Sequence, residues 1–303
     1  MMSTETAHGA IVVGVDGSPS ASRAVEWAAR TAAERNTGLY LVHAFHPGGS
    51  YGGGLPAPLD VFEELEQEGR RILDEAAEAA RAVAPRLAVH TDPRREAPVP
   101  VLLDLSGVAR MIVLGASGSG GFAGMRLGST AIAVSAHARC PVAVVRGRDG
   151  ADGLPEEGPV VVGVDGSPIS DRAIGVAFEE ASQRNAPLVA VHSWVDGDYE
   201  DVFSPERFNA VWESVDEVEQ RSLAERLAGW QEKHPDVRVE RVVVRDRPRH
   251  QLLERSGEAR LLVVGSRGRG GFRGMLLGST SQALVQHARC PVLVVRPTDE
   301  GGG

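Results

Sequence analysis

Residues 11–29 read IVVGVDGSPSASRAVEWAA and residues 160–178 read VVVGVDGSPISDRAIGVAF. Each stretch opens on an apolar, β-branched run, breaks at Asp-Gly-Ser-Pro, and continues with small and apolar residues at helical spacing. A short run that is apolar at every position, rather than alternating, is what a strand covered on both faces requires. Ser18 and Ser167, each followed by a proline, mark helix starts. Serine supplies an N-cap oxygen, and Pro19 or Pro168 at the first helical position gives up only an N–H that has no partner there. Strand, tight turn and helix, written twice, open a parallel α/β sheet.

The duplication continues along the chain. LVHAF from Leu41 matches AVHSW from Ala190, and HARCPVAVVR from His137 matches HARCPVLVVR from His287. GASGSGGFAGMRLGST (Gly115–Thr130) matches GSRGRGGFRGMLLGST (Gly265–Thr280). Two copies at a period near 150 residues make a tandem domain pair, since solenoid repeats are several times shorter. The chain of 303 residues is long enough for both, with domains expected over 1–146 and 159–303 and a polar, Gly-rich linker, GRDGADGLPEEG, over 147–158. In the first copy strands are expected at Ala10–Val15, Leu39–Ala44, Leu87–Thr91, Met111–Leu114 and Val142–Val145, with helices between them. The fold class is therefore α/β: two tandem, doubly wound, parallel sheets of five strands, Rossmann-like in architecture.

A net charge of -9 excludes a general nucleic-acid or membrane-surface binder, which needs a basic footprint. Any anionic ligand must be held locally. The opening MMSTETAHGA has neither a basic n-region nor an apolar h-region, and no apolar run approaches the length of a membrane span, so a cytoplasmic location is expected. Cys140 and Cys290 stand in the same HARCPV context, which reads as one copied position bearing buried structural thiols.

The glycine run follows the fourth strand and VDGS follows the first. Where those strands are neighbours at a topological switch point, both turns open into one crevice at the carboxyl edge of the sheet. Loop N–H groups and the start of the next helix, with Ser129 or Ser279 read as its cap, suit phosphate. Asp16 and Asp165 either accept hydrogen bonds from a base or ribose or simply cap their own turn. A Walker loop is excluded, because Lys233 is the only lysine and lies far from any glycine run. The dinucleotide fingerprint belongs after the first strand, which argues against a standard NAD site. There is no H-E-x-x-H or C-x-x-C.

Gly115-x-x-Gly118, nine residues, then Gly128-Ser129, and again Gly265-x-x-Gly268, nine residues, then Gly278-Ser279, resemble the ATP-binding signature of the universal stress protein family. The resemblance covers about 285 residues, including both VDGS turns and both CPV segments. It implies the strand order 3-2-1-4-5 in each domain and two ATP per chain, with or without Mg2+. Carried over, it assigns the base and ribose end to Asp16 and Asp165, and adenine to the backbone near Ala44 and Ser193. Ribose and phosphates fall to Gly115, Gly118, Gly128, Ser129 and Thr130, and to Gly265, Arg267, Gly268, Gly278, Ser279 and Thr280. Ser117 departs from the pattern, standing where Arg or His is common and where the second copy has Arg267.

Other features read more plainly. His43 and His192 have no paired nucleophile and read as hydrogen-bonded structural histidines. His137 and His287 sit near helix C-termini, where a cation suits the dipole. Arg245, Arg247, Arg249 and His250 read as a solvated face, and HPGGSYGGGLPAP (46–58) as a lid or a plain connector. Two functions stay open: an ATP-dependent stress-response regulator with little or no turnover, or an enzyme with weak ATPase or adenylyl-transfer activity. The apolar last strands are expected to pair the two domains within the chain. A homodimer and a regulatory protein partner are further expectations; nucleic acid and membrane are not.

Overall fold

The central strands begin where apolar runs begin, and each long helix begins where Ser-Pro or Pro permits one. The computed structural model describes residues 2–46, 59–118, 127–146, 153–194, 205–269 and 277–297. The chain divides into two units, Met1–Gly147 and Arg148–Pro297. In unit 1 the elements are α1 (Met2–Ala7), β1 (Ile11–Gly14), α2 (Pro19–Glu34), β2 (Leu39–Ala44), α3 (Leu59–Val83), β3 (Val89–Arg94), α4 (Pro98–Leu105), β4 (Met111–Gly115), α5 (Ser129–His137) and β5 (Val142–Val145). Unit 2 contains β6 (Val160–Val164), α6 (Pro168–Gln183), β7 (Leu188–Ser193), α7 (Pro205–Lys233), β8 (Val239–Val244), α8 (Pro248–Arg255), β9 (Leu261–Gly265), α9 (Ser279–His287) and β10 (Val292–Val295).

Every strand pair within a unit is parallel. In unit 1 the order is β3-β2-β1-β4-β5, with Ile11 opposite both Leu39 and Met111. In unit 2 it is β8-β7-β6-β9-β10, with Val160 opposite both Leu188 and Leu261. The reversal of winding falls between β1 and β4, and between β6 and β9, so the Asp-Gly turns and the glycine loops do issue from neighbouring strands. The central strands are buried along their length, as two helical layers demand: Ile11, Val12, Val13, Ile112 and Val113 are all fully covered.

Helix α2 shows how the sequence dictates the packing. The Ser18 hydroxyl accepts a bond from Ala21 N–H at 3.1 Å and Pro19 follows at the first helical position. Ala21, Ala24, Val25, Ala28 and Ala32 form its buried face, small enough to bring the helix close to the sheet. Asn36 ends it with a φ of +50°, the left-handed stop that asparagine tolerates. Unit 2 repeats the device with the Ser167 cap on Ser170 N–H and Asn185 at a φ of +48°.

The structure moves some expected boundaries. β1 is shorter by one residue at each end, and β4 extends to include Gly115. β3 runs Val89–Arg94 and so passes through Pro93, which the expected strand at Leu87–Thr91 had avoided. Within its unit β3 pairs only with β2, and a strand with one ladder to serve tolerates a residue without an N–H. Most of the segment 46–58 and half of 147–158 lie outside the described residues.

Candidate functional site

The two turns meet through one aspartate and one glycine. Asp165 is the first residue after β6, and its Oδ1 accepts from Ser167 N–H at 2.9 Å while Oδ2 accepts from Arg269 N–H at 2.9 Å. The residue between, Gly166, has a φ of +74°, which the tight turn requires. Asp165 thus caps its own turn and also holds the loop that follows β9. Burial pushes its carboxyl up, but the hydrogen bonds from Ser167 and Arg269 stabilise the carboxylate more, and the net shift is downward. A Cβ on Gly268 would lie 2.5 Å from Asp165 Oδ2, so this position leaves no room for a side chain. Unit 1 repeats the arrangement: Asp16 Oδ1 accepts from Ser18 N–H at 3.0 Å, and a Cβ on Gly118 would lie 2.8 Å from Asp16 Oδ2.

The other signature glycines serve different purposes. A Cβ on Gly115 would stand 2.7 Å from the Ser20 backbone, and one on Gly265 would stand 2.7 Å from the Ile169 side chain. Both are sites where the first turn of a helix presses on the end of a strand. Gly128 N–H donates to Ala116 O and Gly278 N–H to Ser266 O, each at 2.8 Å, pinching the loop shut at its base. That bond fixes Gly128 and Gly278 in extended conformation as the flanking residues of α5 and α9. Ser129 and Ser279 are therefore the first helical residues and not the caps expected of them, and no side chain caps either helix. The N–H groups of the first turn are left for another acceptor.

In unit 2 the residues converge on a cavity of about 380 Å³. Asp165, Ser193, Gly265, Arg267 and Gly268 line it, and so do Gly278, Ser279 and Thr280. Every residue of the second copy that the resemblance assigned to the nucleotide is on this wall. Arg267 brings a buried Nε that has no hydrogen-bond partner among the described residues. In unit 1, Asp16, Gly115, Gly118 and Gly128 are drawn together around the same turn, with Ser18 Oγ donating to Ser117 O at 3.4 Å. Ala44 stands at the end of β2 and Thr130 in the first turn of α5. The two loops also differ in charge, with Ser119 and Ala123 opposite Arg269 and Arg273 and Arg126 opposite Leu276; of these only Arg269 is a described residue.

Sequence reasoning missed part of the cavity wall. Trp194, Pro248 and Leu252 line it, and so does Glu219 from α7. His192, read as structural, donates its Nδ1–H to Val164 O at 2.7 Å, and Nε2 lies 2.9 Å from Glu219 Oε2. His43 makes the matching 2.7 Å bond to Val15 O. Glu219 stands twenty residues before the start of β8, the place that Gly69 holds before β3.

Elsewhere the plain readings hold. Cys140 and Cys290 are buried, and burial pushes the Cys140 thiol up to about 12. His137 closes α5, its Nδ1 2.9 Å from Ala133 O. His250 Nδ1 is paired with Asp246 at 2.7 Å on an exposed surface. Among the described residues no helix is long and apolar enough to cross a membrane, and no cluster of three or more His, Cys, Asp or Glu could hold a metal ion.

Known proteins agree with this architecture. A model of the universal stress protein family matches residues 8–146 and 158–296. Universal stress protein Rv2623 of Mycobacterium tuberculosis (strain ATCC 25618 / H37Rv) is 43% identical over 298 residues, covering 97% of this chain and 99% of its own. Universal stress protein Mb2028c of Mycobacterium bovis is 44% identical over 292 residues, covering 95% and 97%. The crystal structure of a universal stress protein from Archaeoglobus fulgidus DSM 4304 superposes with a TM-score of 0.70 at 20% identity, covering 96% of this chain and 97% of that one, and bears on the fold alone. The chain belongs to the universal stress protein family and carries two of its domains in tandem.

Proposed function

We propose that the chain is a nucleotide-dependent stress-response regulator that binds ATP, one molecule per unit, and turns it over slowly or not at all. The observation that carries this reading is the cavity of unit 2, where Arg267 Nε lacks a partner among the described residues and no side chain caps the start of α9. Both features seek an anion. Arg267, the Gly268 backbone and the first turn of α9 would hold phosphates; Asp165 and Ser193 would face the sugar and base. Asp16, Ala44, Gly115, Gly118, Gly128, Ser129 and Thr130 would do the same in unit 1. Mg2+ would arrive on the phosphates, since no described side-chain cluster offers it a cage.

A second reading, weak ATP hydrolysis or adenylyl transfer, draws support from His192 and Glu219 on the cavity wall. Against it, both ring nitrogens of His192 already have partners, so the imidazole has no nitrogen to offer a substrate. Phosphate release that persists in wild type and vanishes in the Gly268→Ala variant would favour the enzyme.

The proposal extends to assembly. In the cytoplasm a homodimer or a regulatory protein would read the nucleotide state. Equilibrium dialysis tests the core claim. Wild type should retain ATP, and Gly118→Ala combined with Gly268→Ala should abolish retention; undiminished binding in that double variant refutes the site.

A further inference from the structure

The cavity of unit 2 has two unlike sides. Arg267, Gly268 and the uncapped start of α9 belong to the β9 side; Ser193, Trp194 and Pro248 belong to the side of β7 and β8, with His192 and Glu219. β6 lies between β7 and β9, so two strand spacings, roughly 10 Å, separate the sides. The first side gathers N–H donors and positive charge. The second side carries Trp194 and Pro248 and the hydrogen-bonded pair His192–Glu219.

The pair is built so that only one of its members can address a ligand. Val164 O can only accept, so His192 Nδ1 carries its proton and donates; Nε2 and Glu219 Oε2 share the next proton along the chain of contacts. His192 is only 6% exposed, whereas Glu219 keeps partial access to the cavity. Glu219 Oε1 makes no hydrogen bond with a described residue. An oxygen of this kind repels phosphate and seeks an N–H or O–H donor. In unit 1 Gly69 occupies the matching place, its Cβ position 2.7 Å from the His43 ring, and the neighbouring Glu68 has both carboxylate oxygens engaged by Arg71.

We infer that Glu219 is a specificity-determining residue of unit 2, accepting a hydrogen bond from an N–H or O–H donor on the non-phosphate half of the nucleotide. His192 fixes its carboxylate. The second site is thereby committed to a ligand with such a donor, an amino group on the base or a hydroxyl on the sugar, and the first is not. The inference rests on the nucleotide reading above and adds to it a selection that the glycine signature does not encode.

The test uses the full chain carrying Gly118→Ala, so that unit 2 is read alone. Calorimetric titration with ATP, inosine triphosphate, and the 2′-deoxy and 3′-deoxy forms of ATP compares ligands that keep or lack each donor. With Glu219 present, ATP should bind about tenfold or more tighter than at least one analogue, the range expected of a hydrogen bond to a charged group. Glu219→Ala should bring that ratio to within about twofold by weakening ATP and sparing the analogue. Glu219→Gln, equal in shape and able to donate as well as accept, should narrow the same ratio while leaving the thermal transition in place. Collapse of the inosine ratio identifies the base amino group; collapse of a deoxy ratio identifies the sugar hydroxyl. Ratios near one with Glu219 present, or ratios unmoved in both variants while ATP still binds, overturn the inference. Absence of all nucleotide binding by unit 2 overturns the nucleotide reading instead.

Discussion

At the scale of single residues, one carboxylate and one missing side chain organise each site. Asp165 holds its own turn and the neighbouring loop at once, so the same oxygen atoms that a ligand would need are already positioned. Its carboxyl is lowered in the folded chain, which fixes the sign of its pH dependence. The stabilisation is present above the unfolded value of about 3.9 and is lost as pH falls through the lower folded value. Asp165→Asn should therefore cost about 1 to 2 kcal/mol near neutral pH, allowing for solvent screening, and the gap from wild type should close in acid. Urea melts of both proteins across the acid range check it; a gap independent of pH means the charge is not what matters. Gly268→Ala acts through space rather than charge, because the added methyl would collide with that carboxylate. It should displace the loop and abolish nucleotide binding at unit 2 while the sheet still melts cooperatively, as circular dichroism can follow.

At the scale of elements, the sequence announced the strands and the helix starts, and misled at one point. Ser-Pro before α2 and α6 produced the expected caps, because the Ser18 and Ser167 hydroxyl oxygens keep a lone pair for the N–H three residues on. Gly-Ser-Thr before α5 and α9 did not, because the glycine N–H is already spent closing the loop and shifts the cap by one residue. Ser18→Ala should cost about 1 kcal/mol of stability, as a lost N-cap does. Ser129→Ala and Ser279→Ala, at exposed first-turn positions, should change stability by no more than about 0.5 kcal/mol. Thermal denaturation of the four variants, with Ser167→Ala as the second cap, separates the two classes; equal losses would return the serines to the role first expected of them. The strand order was legible only through resemblance, since parallel apolar runs carry no mark of which neighbour they choose. Glu219 was illegible for a different reason. A charged residue on a long helix announces nothing until the helix is docked and one of its faces is seen to close a cavity.

At the scale of the whole molecule, the chain is a duplication whose copies have diverged where ligand chemistry is decided. Unit 2 has Arg267 where unit 1 has Ser117, and Glu219 where unit 1 has Gly69. In a protein of net charge -9, a local arginine is what draws a triphosphate in. Unit 2 should bind ATP about tenfold or more tighter than unit 1, with a gap that shrinks at high salt and for adenosine, since the added charge acts on phosphate. Arg267→Ser should bring the second site toward the first. Calorimetry on the Gly118→Ala and Gly268→Ala single variants in low and high salt reads the gap directly, and equal affinities in both would mean that the arginine does not reach the ligand.

Native mass spectrometry of the intact chain titrated with ATP tests most directly whether both copies are nucleotide sites. Two ATP adducts per chain are expected, one remaining in either single glycine variant and none in the double. A chain that takes up no ATP, or that carries the same adducts in wild type and double variant, would contradict it.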